Sequence, residues 1–300
     1  MGCRGGNAPG FLTRATPHQA YLQSLEAAGL AGTALVIEWQ TAARRALTAP
    51  QPGSLPLAGQ VVHDPARPQA YGYRLELKRG RVLRVELEIE SREPALVFID
   101  LFDATDPDFR QPAETMPLET VAPEPLASAE KHSSVLEHEI ERDGAYILRI
   151  QPELLRGGTL KITQRTTAAL EFPVEGRTTS AVQSFFLDPR DNSTRDHHGI
   201  DIFAPRHTPV RAVADGFVTA VTTTPRGGHV VWIWHAERRQ SHYYAHLQRQ
   251  AVTVGTRISA GDIVGYVGNT GNARTTAPHL HFGIYRRGEG PIDPLPWVAP

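Results

Sequence analysis

The chain has 300 residues, 40% hydrophobic and 21% charged, and its 31 Lys plus Arg against 32 Asp plus Glu leave a net charge of −1. That profile fits a folded chain of one or two domains and argues against a general nucleic-acid binder, which is usually basic. No run of about 18 apolar residues is present to span a membrane, and the single cysteine, Cys3, excludes a disulfide within the chain.

In chain order, residues 1–15 are glycine-rich and read as a flexible tether. Gly2-Cys3 within it resembles the end of a bacterial lipoprotein signal. That resemblance implies a lipid anchor at Cys3 and an extracytoplasmic location, in the periplasm or cell envelope. A helical hairpin is predicted over 16–48. Thr16 caps its first helix, Pro17 suits the first turn, Gln19 sits at the capping-box position and Gly29 is a stop. Leu35, Trp39, Ala43 and Leu47, four apart, mark the second helix.

Residues 49–68 are proline-rich and lead into a strand. Val85, Leu87 and Ile89 alternate with Arg84, Glu86, Glu88 and Glu90, the pattern of a half-buried strand. Leu96 to Phe102 is a nearly continuous apolar run, as in a core strand, and residues 103–134 read as a long loop. Tyr146 to Ile150 and Leu160 to Ile162 return to strand, so 49–168 is predicted to be a β-sandwich. Its stretches Tyr71-Gly72-Tyr73-Arg74-Leu75, Val82-Leu83-Arg84-Val85 and Asp143 to Ile150 resemble the pre-peptidase C-terminal domain found beside secreted bacterial peptidases. The resemblance implies an accessory or binding module.

Nine of the 13 histidines fall between His197 and His281. Short strands punctuated by Gly and Pro recur from residue 180 onward, so 169–300 is predicted to be a compact, mainly β domain. Strand parity puts His279 and His281 on one face with Leu280 and Phe282 behind them. The same reasoning places His197 with Asp201, and Tyr244 with His246, on the site side of their strands. Val231, Trp232, Ile233 and Trp234 form an all-apolar strand that reads as core. His229, His235 and His242 read as surface or packing residues. Two imidazole nitrogens and a carboxylate are a common catalytic zinc set that leaves a fourth position for water.

Several stretches, taken in order, carry a specific resemblance. They are His197-His198-Gly199-Ile200-Asp201-Ile202, Pro209 to Val218, Tyr244-Ala245-His246-Leu247, Gly261 to Gly271, Pro278-His279-Leu280-His281-Phe282 and Pro291-Ile292-Asp293-Pro294. Residues 195–297 resemble the lysostaphin-type, LytM-like zinc endopeptidases of bacterial cell walls. The resemblance implies an antiparallel β-sheet groove with Zn2+ on its floor, held by His197, Asp201 and His281. It implies His279 as general base and His246 as the second catalytic histidine, steadying the oxyanion. It also implies cleavage of the stem or cross-bridge peptides of peptidoglycan. The alternatives are a non-catalytic wall-binding regulator or amidase activator, and a scaffolding envelope lipoprotein. Three departures from the family pattern touch loops and the groove rim: His207 where a Gly is usual, Thr275 to Pro278 on the approach to His279, and Gly283 where a Glu is common.

Overall fold

The computed structural model describes residues 15–107, 109, 123–190 and 193–299. Cys3 and the glycine-rich tether up to residue 14 lie outside the described residues, as does much of the 103–134 loop. The chain is mostly β, and contacts divide it into two units. The first draws on Met1–Glu76, Arg84–His138 and Gly144–Arg165; the second draws on Leu77–Leu83, Glu139–Asp143 and Thr166–Pro300.

In the first unit the capping box forms as the residues predict. The Gln19 backbone N–H donates to the Thr16 hydroxyl at 3.2 Å, and Thr16 N–H donates to Gln19 Oε1 at 2.9 Å, opening the helix Pro17–Ala27. The second helix, Ala34–Thr48, buries Val36, Trp39, Ala43 and Leu47 along one stripe. Its Trp39 indole donates to the Pro152 carbonyl at 2.9 Å, and Gln151 Nε2 donates to the Trp39 carbonyl at 2.9 Å. His18 stacks on Trp39 at 4.5 Å and meets Gln151 Oε1 at 2.7 Å. The hairpin is thereby fixed to the strand Gly144–Pro152.

That strand lies inside a five-stranded sheet ordered Gln51–Pro52, Tyr71–Leu77, Gly144–Pro152, Val97–Asp103 and Ala127–Ser128. The short strand Ala127–Ser128 falls inside the stretch expected to be loop. A four-stranded sheet is ordered Leu57–His63, Gly158–Ala168, Arg81–Glu90 and Val135–Glu139. Alternation does its expected work here: Leu83, Val85 and Leu87 are buried, as are Leu160 and Ile162, while Ile89 near the strand end is half-buried.

The second unit is built on an eight-stranded sheet. Its path runs Val182–Ser184, Ile200–Phe203, His279–Arg286, Gln240–Leu247, Gly228–His235, Gly216–Thr224 and Arg257–Ile258, with Gly290–Ile292 paired to His279–Arg286. These pairings are antiparallel. A three-stranded sheet of Pro209–Arg211, Ile263–Tyr266 and Arg249–Gln250 supplies Val210 and Val264 to the same core. Ile200, Ile202, Val231, Ile233, Tyr244, Leu280, Phe282 and Ile284 fill that core from the large sheet. Burying each aliphatic or Phe side chain contributes roughly 1.5–3 kcal/mol. The register of the strands carrying the candidate site is therefore set from behind by apolar packing, because a one-residue slip would turn those side chains to the wrong face.

Each unit also buries an imidazole. Burial, with the Arg149 charge adding to it, lowers the pKa of His18 to about 3. Burial lowers that of His242 to about 3 as well, and the His235 and Arg238 charges act in the same direction. An unfolded histidine takes a proton near 6.5, before either folded one does. Stability is then complete above about pH 6.5 and falls as pH drops towards 3, by on the order of 1 kcal/mol per pH unit for each group. Urea midpoints should decline between about pH 6.5 and 5, above the range where carboxylates titrate. His18→Gln, which can still hydrogen-bond Gln151, should flatten part of that slope. Midpoints unchanged down to pH 5 would contradict this reading.

Candidate active site

Ile200–Phe203 and His279–Arg286 are neighbours, with Asp201 directly across from His281. Ile200, Ile202, Leu280 and Phe282 turn into the core, which leaves Asp201, His279 and His281 on the opposite face, as parity requires. His197 is not on the strand. It sits in the short connection between Arg195–Asp196 and Ile200–Phe203. Backbone bonds from His197 N–H to the Asp188 carbonyl at 3.0 Å, and from Leu187 N–H to the His197 carbonyl at 2.8 Å, hold it there.

The three side chains meet at single atoms. His197 Nε2 lies 3.0 Å from Asp201 Oδ1 and 2.9 Å from His281 Nδ1, and His281 Nδ1 lies 3.0 Å from Asp201 Oδ1. His197 Nδ1 is 2.8 Å from the Phe185 carbonyl, which can only accept, so that nitrogen carries the proton and Nε2 turns a lone pair inward. A lone pair facing a carboxylate oxygen and a second imidazole needs positive charge between them. One proton satisfies one edge of the triangle; a divalent cation satisfies all three. Tetrahedral zinc with ligands at roughly 2.0–2.2 Å needs donors about 3.3 Å apart, close to the separations here. The residues therefore fit zinc, and they are the cluster found among the described residues with metal-holding geometry.

The electrostatics agree. Burial pushes the Asp201 carboxyl up, yet hydrogen bonds and charge from His197 and His281 hold it well below the usual carboxylate range. Burial lowers the His281 imidazole. Asp201 and His281 are thus biased towards the deprotonated forms that bind metal.

His246 arrives by a different route. Opposite it the ladder skips: Val231 pairs with Tyr244 but His229 pairs with Leu247, so an extra residue is accommodated between Tyr244 and Leu247. His246 takes up the bulge with φ of +61°. This corrects the expectation that Tyr244 and His246 share a face. Tyr244 is fully buried against Phe282, with its oxygen accepting from Val213 N–H at 3.0 Å, whereas the bulge re-aims His246 towards the site. The His246 and His279 rings are 5.0 Å apart, and His246 and His281 are 5.9 Å apart. His246 Nδ1 donates to the Thr270 carbonyl at 2.9 Å, and His279 Nδ1 donates to the Ala277 carbonyl at 2.9 Å. With Nδ1 committed as a donor, each ring leaves Nε2 as the nitrogen free to act in the site. His279 also stacks on Phe203 at 4.9 Å. Burial, then the neighbouring His279 and His281 charges, lower the His246 pKa to about 4.

A second correction concerns the apolar strand. Val231 and Ile233 are core, but Trp232 and Trp234 alternate onto the other face and are only half-buried. Trp232 packs on Tyr243 at 4.4 Å and Tyr285 at 5.1 Å, and Tyr243 lies 5.7 Å from His281. Gly283 sits opposite Tyr243 between His281 and Tyr285, where a Cβ would lie 2.9 Å from the His198 carbonyl oxygen and 3.2 Å from Tyr285. The sheet face beside the cluster is consequently aromatic. His207 holds φ of +72°, a backbone state that explains the glycine usual there in the resembled family.

Sequence reading missed Arg190 and Ser184. Arg190 Nη2 lies 2.8 Å from Asp201 Oδ2 and also donates to the Ser184 hydroxyl. Ser184 reaches Asp201 only because a register shift between Val182 and Ser184 makes them cross-strand partners, a signal absent from the bare sequence.

The family model of peptidase family M23 matches residues 195–294. The DD-carboxypeptidase/endopeptidase Mpg of Neisseria meningitidis is 38% identical over 114 residues, covering 38% of this chain and 25% of that one. The glycyl-glycine endopeptidase ALE-1 of Staphylococcus capitis is 42% identical over 88 residues, covering 29% of this chain and 24% of that one. The chain thus spans about a quarter of the length of these relatives. Among solved structures, the catalytic domain of lysostaphin from Staphylococcus simulans is 28% identical, with 39% of this chain and 90% of that one covered and a TM-score of 0.36. Residues 195–294 of this chain are a peptidase family M23 domain.

Proposed function

We propose that the protein is a zinc metalloendopeptidase that hydrolyses peptide cross-links of bacterial peptidoglycan. The observation that carries this is the convergence of His197 Nε2, Asp201 Oδ1 and His281 Nδ1 within about 3 Å of one another, with two further imidazoles beside them. His197, Asp201 and His281 would hold the metal. When bound, zinc supplies Lewis acidity that polarises a carbonyl and makes water nucleophilic near neutral pH.

The chain's own residues do the rest. His279 Nε2 accepts a proton from the attacking water and returns it to the leaving amine nitrogen, so the proton count closes. His246 has its Nδ1–H committed to Thr270 and faces the reacting centre with Nε2; the developing oxyanion raises that nitrogen's proton affinity, so that a proton taken from solvent there steadies the charge. Trp232, Tyr243 and Tyr285 give the substrate strand an apolar floor. Relatives named for cleaving glycyl-glycine bonds and for DD-endopeptidase activity support peptidoglycan peptides as the substrate class.

Among the described residues no helix is long and apolar enough to cross a membrane. We place the activity outside the cytoplasm, with a lipid anchor at Cys3. In this reading the hairpin 16–48 and a β-sandwich at 49–168 form an accessory module for a peptidase domain at 169–300.

The zinc-loaded protein should release fragments from purified sacculi, and mass spectrometry of their new amino and carboxyl ends would name the bond. His246→Ala and His279→Ala should keep zinc while losing about 10²–10⁴-fold in rate, the usual worth of general acid–base catalysis. Release at the unaltered rate by both variants would remove these histidines from the mechanism.

A further inference from the structure

The two oxygens of Asp201 have different partners. Oδ1 belongs to the ligand triangle, 3.0 Å from each of two histidine nitrogens. Oδ2 faces away from it and takes a hydrogen bond from Arg190 Nη2 at 2.8 Å. The ion pair is largely sheltered, with side-chain exposures of 28% for Arg190 and 13% for Asp201. Arg190 is itself held, because the same amino group donates to Ser184 Oγ, and Ser184 stands opposite Asp201 in the sheet. Ser184 Oγ further donates to Asp188 Oδ2 at 3.0 Å and lies 3.3 Å from His197 Nδ1. One short segment, 184–190, therefore orients two of the three candidate ligands.

We propose that Arg190 is a positioning residue that ties down Asp201 Oδ2, so that the carboxylate offers the metal Oδ1 alone. A free carboxylate can rotate and bind through both oxygens, which would fill coordination space that catalysis needs open. A guanidinium on Oδ2 opposes that rotation, and its planar, permanently charged group suits a partly buried pair better than an ammonium. This inference rests on the metal-site reading above and adds a residue that the His/Asp/His pattern does not contain.

The test uses the full chain loaded with cobalt or zinc and needs no peptidoglycan. Metal affinity is read by competition with a chromophoric chelator, and coordination by the visible absorption of the cobalt-saturated protein. Arg190→Met should bind metal about 10–100-fold more weakly, the usual effect of removing a group that orients a ligand. At saturation its cobalt bands should weaken, because a second carboxylate oxygen raises the coordination number. Arg190→Lys, which keeps the charge but not the planar guanidinium, should fall between Met and the unaltered protein. Ser184→Ala should show a smaller change in the same direction, and it carries the test if Arg190→Met does not fold. Unaltered affinity and an unaltered cobalt spectrum in the folded variants would overturn the proposal. Failure of the unaltered chain to bind either metal would overturn the metal site itself, and this inference with it.

Discussion

His281→Ala is expected to abolish metal binding and peptide release together while leaving the fold in place. The His281 side chain stands on the sheet face away from the core, across from Asp201, and its Nδ1 makes two edges of the donor triangle. The residues on either side, Leu280 and Phe282, carry the packing and are fully buried. Truncation at 281 therefore removes a ligand without opening a cavity in the core. Two donors remain, too few for a catalytic zinc site. Losing several kcal/mol of Lewis-acid stabilisation corresponds to a rate loss of about 10³-fold or more, at about 1.4 kcal/mol per factor of ten. Zinc per chain by elemental analysis, thermal unfolding and fragment release from sacculi check the three parts. A zinc-replete or active His281→Ala protein would remove His281 from the site.

Gly199→Ala is expected to damage the same site from the backbone. A Cβ at Gly199 would lie 2.4 Å from the Phe282 carbonyl oxygen and 2.9 Å from both Cε1 and Nε2 of His281. Neither neighbour is the loose end of a flexible chain. One is backbone of the strand paired to Ile200–Phe203, and the other is a candidate ligand ring. Relief requires separating these strands near Ile200 and Phe282 or turning His281. Overpacking of this kind costs about 1–3 kcal/mol, and a displaced ligand costs about tenfold or more in metal affinity. A lower unfolding midpoint together with weaker zinc binding is the expected pair of results. Unaltered zinc affinity would show that the strands tolerate the methyl group and that this contact does not position His281.

Much of the site was legible because simple registers generate it. His279, His281 and Asp201 lie on regular strands, where period-two alternation assigns a face and buried neighbours confirm it. Strand parity paired His197 with Asp201, but His197 lies just before the strand and is placed instead by backbone bonds to Leu187 and Asp188. His246 shows where parity fails, since a bulge inserts one residue and inverts the face. Trp232 and Trp234 were misread for a related reason. An all-apolar strand can carry aromatics on its second face when neighbouring strands offer aromatic partners there. Arg190 was not legible, because its side chain reaches Asp201 from a separate two-stranded pairing with Arg195, a long-range contact that no local spacing encodes.

The helix start at Thr16 was readable from local capping chemistry. The assignment of residues 77–83 and 139–143 to the second unit was not, because it depends on long-range contacts that no local pattern encodes.

The most direct test of the account is a zinc add-back titration on sacculi. The chain is stripped with a chelator, returned to metal-free buffer and supplied with increasing zinc while released peptides are quantified. The account expects no release without metal, a rise with added zinc, and saturation at one zinc per chain, as the one such cluster among the described residues, His197–Asp201–His281, requires. Release by the fully stripped chain, or none at any zinc level, would contradict it.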